Sequence, residues 1–342
     1  MLKVVKFGGS SVAGAEQFRK VKNIVGADSA RRIVVSSAAG KRTPDDHKLT
    51  DLLYLCHAHL TYGVSCDEIM DGIESRFAQI RDELGIAYDV EADFKALRAR
   101  LSRDMSVDEL VSRGEYFTSK LLADYLGYTF VDAKDCVFFG FDGQVETERS
   151  YAAIRSAVEE YGRIVIPGFY GLSPTGKIKV MSRGGSDITG ALAAAAAGAD
   201  VYENWTDVSG ILMADPKIVH DPKPIPRITY GELRELAFMG ASVLHEESVQ
   251  PVKEKGIPLN IRNTNAPDDP GTMIVEHVED SDGAHERFIT GIAGRRNFTI
   301  ITVTKHNMDV CQTLRRTLEI LERFKATIEH ITLGLDSFAL VC

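Results

Sequence analysis

The chain is poor in the residues that build a disulfide framework, a zinc site or a nucleic-acid surface. Its five cysteines (Cys56, Cys66, Cys136, Cys311, Cys342) lie far apart, with no Cys-x-x-Cys pair. That excludes a disulfide scaffold and a zinc ribbon, and points to a reducing compartment. Nine histidines make no metal-binding spacing; His57 and His59, two apart on an expected helix, cannot share a face. No Ser-His-Asp or Cys-His pattern offers a nucleophile with its base. Basic residues are outnumbered, 40 Lys and Arg against 49 Asp and Glu, for a formal net charge of −9. Phosphate neutralisation needs a basic face, so no nucleic-acid partner is expected. There is no long apolar run, and Met1 leads straight into a strand without an apolar signal region. Neither a membrane span nor a secretory signal is expected, and the reading is of a cytoplasmic protein.

What the chain does contain is a balanced composition, 44% apolar and 26% charged over 342 residues, enough for a packed interior in about two domains. Its first clear event is Lys3-Val4-Val5-Lys6-Phe7-Gly8-Gly9-Ser10-Ser11-Val12. A β-branched run stops at two glycines, and small hydroxyl residues lead into a helical pattern in which Phe18, Val21, Ile24 and Val25 recur. Glycine amides at a helix start suit an anion, and Lys6 adds a full charge. The residue order of a Walker loop is absent. Alone, a strand ending in Gly-Gly is as readily an ordinary turn with Lys6 solvated.

The arrangement repeats along the chain. Residues 31–35 end in Ser36-Ser37-Ala38-Ala39-Gly40, and 163–166 in Pro167-Gly168-Phe169-Tyr170-Gly171. Residues 179–181 end in Ser182-Arg183-Gly184-Gly185-Ser186-Asp187, and 200–205 in Thr206-Asp207-Val208-Ser209-Gly210. A buried strand is expected over 128–131, and spaced apolar positions over 67–110 suggest several covering helices. Five strands finishing in Gly, Ser, Thr or Asp clusters, with helices between, predict a mainly parallel sheet covered on both faces; ligands then collect at the carboxyl-end rim. At that rim Arg183 offers a planar fork for a carboxylate or phosphate, or a surface ion pair. Asp187 is a site carboxylate or an ordinary N-cap. Asp207 caps a turn or faces a nucleotide and its metal, and Glu115 is a site residue or a carboxylate favoured by a helix start.

From Ala266 the composition changes. Residues 276–289 read as an acidic, turn-rich linker, and a smaller unit follows: a strand at 299–303, a helix striped by Val310, Leu314, Leu318 and Leu321, and a strand at 337–341.

The segments 6–12, 182–187 and 206–211, the last followed by Asp215-Pro216-Lys217, resemble in order and separation the three signature segments of aspartate kinases. The resemblance implies an α/β fold: a three-layer αβα sandwich with a mainly parallel sheet, the amino-acid-kinase fold, over 1–275, then the linker and a partial ACT-like βαβ regulatory unit over 290–342. It implies transfer of a phosphoryl group from ATP, with Mg2+, to the side-chain carboxylate of L-aspartate, the first step of lysine, threonine and methionine biosynthesis. In that reading Lys6 and Asp187 are catalytic. Lys6, Phe7, Gly8, Gly9, Ser10, Thr206, Asp207, Leu212 and Lys217 serve the phosphates and nucleotide. Thr50, Glu115, Arg183, Gly184, Gly185 and Ser186 hold aspartate, Thr50 being preferred over Thr43, and the metal ligands stay unassigned. Leu212 stands where many members place a tyrosine and Ser242 where some place a lysine. A homodimer or higher homo-oligomer is implied, with a lysine or threonine effector where the regulatory region is complete. Family members continue further, which implies a missing strand here and a tail either poorly ordered or paired with a second copy. The rivals are a phosphotransferase of the same fold acting on glutamate or N-acetylglutamate, and a non-catalytic amino-acid sensor.

Overall fold

The computed structural model describes residues 1–181, 184–240, 244, 246–278, 289–294, 296–307 and 309–342. Ser182, Arg183, Ser242 and residues 279–288 of the expected linker lie outside the described residues. The chain divides into two units, Met1–Ile292 and Ala293–Cys342.

The first unit is built on an eight-stranded sheet. From one edge the strands run Arg227–Thr229, Thr272–Val275, Leu259–Asn263, Val201–Thr206, Lys3–Phe7, Arg31–Ser36, Ile164–Pro167 and Thr129–Phe130. Leu259–Asn263 and Thr272–Val275 pair antiparallel; the other ladders are parallel. The N-terminal strand therefore lies inside the sheet, and its Val4, Val5 and Phe7 are fully buried, as a strand covered on both faces requires.

Against one face packs the alanine-rich helix Gly185–Ala197, in a core that includes Val4, Val35, Ile166 and Tyr202. Small side chains let it come close: a Cβ on Gly190 would stand 2.2 Å from the Tyr202 hydroxyl. On the other face the helices Ala15–Gly26, Leu49–Tyr62, Asp67–Leu84 and Arg113–Leu126 form a core with Val5, Phe7 and Val34. The expected covering helices over 67–110 are present, continuing as Val90–Arg98 and Val107–Val111 and capped by Asp89 and Ser106. They bury Phe77 and Phe94 against Phe117, with ring centroids 5.6 Å and 4.4 Å from it.

Three expectations are corrected. The strand expected as buried over 128–131 is the two-residue edge strand Thr129–Phe130, paired on one side only, with Thr129 exposed. The strand expected at 179–181 is not in the central sheet. Ile178–Val180 pairs antiparallel with Tyr170–Leu172, as a hairpin closed by a turn with Gly176 at φ 74°. Four strand-end loops thus come from the sheet, and this hairpin delivers the fifth.

The third correction concerns the second unit. Its strands Ile300–Thr304, Ser337–Val341 and His330–Leu333 form an antiparallel sheet in that spatial order, with the helix Val310–Arg323 packed on Phe338 and Leu340. The unit is β-α-β-β rather than βαβ. Its last strand is paired on both sides rather than left at an edge, because the turn at Gly334 folds it back beside His330–Leu333.

Candidate functional site

Parallel pairing sets Lys6 opposite Asn204 on the neighbouring strand. Lys6 and Val4 share the face beneath the helix Gly185–Ala197, whereas Val5 and Phe7 point to the opposite core. Phe7, a candidate for the nucleotide site, is accordingly a core residue; its ring stacks on Trp205 at 6.1 Å. The Lys6 side chain is more than nine-tenths buried, and its Nζ lies 2.6 Å from the Asp187 Oδ1 and donates to the Asn204 Oδ1 at 3.3 Å. The Asn204 Nδ2 donates to the same Asp187 oxygen at 2.9 Å. Asp187 is the third residue of its helix and its side chain caps nothing, which removes the N-cap alternative.

The opening loop is fixed from two sides. The Gly8 amide donates to the Trp205 carbonyl at 2.9 Å, so it is not available to a ligand. Gly9 and Ser10 start the short 3-10 turn Gly9–Val12, and amides at such a start have no intrahelical partner. The Gly40 amide donates to the Gly9 carbonyl at 2.8 Å. Behind this junction the buried Arg76 donates through Nη2 to the Ala13 carbonyl at 3.1 Å and to the Gly40 carbonyl, with Asp46 at 3.7 Å. Among the described residues the Arg76 Nε and Nη1 have no hydrogen-bond partner.

Two adjoining cavities open at this rim and share Ser37, Lys48, Thr50 and Glu115. The first, ≈ 480 Å³, is also lined by Lys6, Phe169 and Gly184 to Asp187; the second, ≈ 670 Å³, by Gly9, Ser10, Thr43 and Asp207. Thr50, in the first turn of Leu49–Tyr62, reaches both, whereas Thr43 lines only the second. A further cavity of ≈ 630 Å³ near Trp205 holds Asp28 and Arg31. There Asp28 already pairs with Lys3, and Arg31 with Glu203.

Glu115 is the acidic residue at the centre. It lies in the first turn of Arg113–Leu126, buried at 4% exposure, with Oε2 lacking a hydrogen-bond partner among the described residues. Burial pushes its pKa up to about 8, against the weaker opposing pull of the Ala38 and Glu115 amides and Arg113. The close packing is possible because Gly114 precedes it; a Cβ there would meet the Ala38 Cβ at 2.9 Å.

The structure thus brings together Lys6, Gly9, Ser10, Thr50, Glu115, Gly184, Gly185, Ser186, Asp187 and Asp207. Thr206 donates through Oγ1 to the Asp207 Oδ1 at 3.1 Å. Leu212, in the short strand Ile211–Leu212, and the exposed Lys217 line neither cavity. Three contributors escaped the sequence: Asn204, Arg76 and Phe169. Phe169 holds a left-handed backbone, φ 77°, costly for a side chain of that size. Its amide donates to the Thr189 hydroxyl at 3.2 Å, and its own carbonyl accepts from the Met181 amide at 2.7 Å. Polar residues inside the strand 201–206 were the one local signal available for Asn204. Among the described residues no group of three or more His, Cys, Asp or Glu is placed to hold a metal ion, and no helix is long and apolar enough to cross a membrane.

A model of the amino acid kinase family matches residues 1–263. Aspartokinase 3 of Bacillus subtilis is 37% identical over 356 residues, covering 99% of this chain and 77% of that protein. The chloroplastic aspartokinase 1 of Arabidopsis thaliana is 30% identical over 333 residues, and the chain spans only 57% of its length. Among solved structures, the aspartate kinase of Clostridium acetobutylicum superposes with a TM-score of 0.91 at 46% identity, covering 99% of this chain and 77% of that one. Escherichia coli aspartokinase III in complex with aspartate and ADP gives 0.76 at 27%, covering 100% and 78%. Matched along almost its whole length in both sequence and fold, the chain belongs to the amino acid kinase family, among its aspartokinases.

Proposed function

We propose that this protein transfers the γ-phosphoryl group of ATP to the side-chain carboxylate of L-aspartate, giving an acyl phosphate. The observation that carries the reading is the seam between the two cavities. A buried lysine held by a carboxylate stands on one side, the loop amides that open a 3-10 turn on the other, and the buried Glu115 borders both. The aspartate and ADP bound by E. coli aspartokinase III support it.

A carboxylate nucleophile is already ionised at neutral pH, so no general base is needed. The barrier is the approach of an anion to a polyanion, which positioning and fixed charge must lower. Lys6 and the amides of Gly9 and Ser10 hold the transferring phosphoryl oxygens, and Asp187 orients Lys6. Glu115 receives the substrate ammonium, Arg183 grips its α-carboxylate, and Thr50, Ser186 and the Gly184-Gly185 backbone complete the aspartate side. Thr206, Asp207, Leu212 and Lys217 serve the nucleotide side, while Phe7 and Gly8 shape the loop.

Mg2+ fits the donors present: it binds through one or two carboxylates together with substrate phosphates, and of the two carboxylates lining the larger cavity, Asp207 and Glu115, Asp207 would hold it. When bound it neutralises phosphate charge. The second unit is a partial ACT-like regulatory domain for lysine or threonine in a cytoplasmic homo-oligomer; E. coli aspartokinase III solved with lysine and aspartate supports the effector. The test is ADP release with L-aspartate, L-glutamate and N-acetyl-L-glutamate. Turnover confined to aspartate is expected, and turnover confined to the other two overturns the reading.

A further inference from the structure

Asn204 is 4% exposed inside a sheet strand. A buried amide is costly when its hydrogen bonds are unmade, so its two partners are the reason it is tolerated. Those partners are Lys6 and Asp187: the amide oxygen accepts from the Lys6 Nζ at 3.3 Å, and the amide nitrogen donates to the Asp187 Oδ1 at 2.9 Å. Lys6 in turn meets that same carboxylate oxygen at 2.6 Å. Two residues earlier on the same face, the Tyr202 hydroxyl donates to the Asp187 main-chain carbonyl at 3.2 Å. One strand face therefore holds both the backbone and the side chain of Asp187.

We propose that Asn204 is a positioning residue for phosphoryl transfer, holding the Lys6 ammonium and the Asp187 carboxylate in one fixed triangle. The ammonium has three donors. Asp187 and Asn204 take two, and among the described residues the third has no acceptor, which leaves it for the transferring phosphoryl oxygen. Asn204 also keeps the Asp187 Oδ1 saturated, so that the carboxylate cannot swing to draw Lys6 away from the cleft. A displacement of about 1 Å at such a group costs on the order of 100-fold in rate. The inference rests on the proposed role of Lys6.

The experiment compares the full chain with Asn204→Ala, Asn204→Asp and Lys6→Ala, measuring kcat and KM for both substrates from pH 6 to 9. Asn204→Ala is expected to lower kcat by about 10- to 100-fold, with KM for aspartate changed far less. Asn204→Asp keeps the shape of the side chain and loses the donor. Its carboxylate beside Asp187 favours a shared proton, and that proton restores an O–H donor to the Asp187 Oδ1. The ratio of variant to parent kcat therefore rises as the pH falls.

The titratable groups around position 204 are Lys6 on the neighbouring strand, Asp187 on the helix and Tyr202 on its own strand, with Glu115 and Lys48 across the cavity. Glu115 and Lys48 are common to parent and variant, so their contributions cancel in the ratio. A ratio independent of pH, or Asn204→Ala retaining kcat within about threefold while Lys6→Ala is inactive, overturns the proposal and leaves the role of Lys6 standing. Unimpaired turnover by Lys6→Ala instead overturns the role of Lys6 itself. Should Asn204→Ala fail to fold, the near-isosteric Asn204→Asp profile decides.

Discussion

Gly40 and Gly9 meet backbone to backbone: the Gly40 amide donates to the Gly9 carbonyl at 2.8 Å, and a Cβ on Gly40 would stand 2.5 Å from the Gly9 carbonyl carbon. Neither atom belongs to a flexible side chain, so Gly40→Ala must push the two loops apart. Because the Gly9 and Ser10 amides ride on that junction, the expected outcome is a loss of about 10-fold or more in kcat/KM for ATP, accompanied by a lowered Tm. Steady-state kinetics and a thermal melt check it; wild-type kinetics from a folded variant would show that the loop tolerates the shift.

Arg76 braces the same junction from behind, yet among the described residues two of its nitrogens have no hydrogen-bond partner, Nη1 only facing the Asp46 carboxylate at 3.7 Å. Desolvation holds its pKa below the ordinary guanidinium value. Its replacement by an apolar residue removes an expensive buried charge along with two useful hydrogen bonds and a long ion pair to Asp46, which keeps Arg42 at 2.8 Å as its partner. Arg76→Leu is therefore expected to change Tm by no more than a few degrees, about 1 kcal/mol, while turnover falls by about 10-fold. Differential scanning calorimetry with kinetics separates the two effects; a collapse of Tm with the kinetics of the folded fraction intact would make Arg76 a stability residue only.

Glu115 gives a pH signature. With its pKa raised to about 8 from an ordinary 4.5, the carboxyl of the free protein is mostly protonated at pH 7. Receiving a substrate ammonium requires the carboxylate, so KM for aspartate is expected to fall as the pH rises toward 8, by up to tenfold per unit. In Glu115→Gln the slope disappears and KM stays high. Folding carries the opposite sign. Between pH 4.5 and 8 the native state binds more protons at this position than the unfolded one, so this contribution to stability is complete below 4.5 and is lost as the pH rises through 8. Chemical denaturation of parent and variant at pH 5 and 8.5 measures the difference.

The thiols divide by burial. Cys311 is exposed and Cys342 half-buried, whereas Cys56, Cys66 and Cys136 are buried. Burial pushes the Cys56 and Cys136 thiols well above the ordinary range, Cys56 with a further contribution from Cys66. A disulfide reagent is expected to modify Cys311 rapidly, Cys342 more slowly, and the other three only after denaturation. Mass spectrometry of partially modified protein reads the order, and early labelling of Cys56 would contradict the packing of Leu49–Tyr62.

The strand-loop-helix punctuation of the chain was legible because glycine clusters and β-branched runs are local signals, and the central sheet and most of its rim followed from them. Parity and pairing are not local. That Lys6 faces the helix while Phe7 faces the opposite core, and that Asn204 lies opposite Lys6, depend on register. The hairpin at 170–180 reads as a sheet strand because its apolar residues alternate just as they would there. The second unit misled for the same reason: His330–Leu333 is too short and too exposed to announce itself, and without it the last strand has one neighbour too few. Phe169 is different again, since nothing in a phenylalanine advertises a left-handed backbone.

The position of Lys3–Phe7 inside the sheet also bears on how the active site is born. This strand is made before the other strands of its sheet, yet one of its two neighbours is Val201–Thr206, and Lys6 and Asn204 are separated by 198 residues. Contacts of such separation form slowly, because a long loop must close before they return any energy. A growing chain carries Lys6 through some two hundred residues of synthesis before the Asn204 that accepts its hydrogen bond exists. Catalytic competence should accordingly emerge with the slowest step of refolding, after most of the helical signal has already returned.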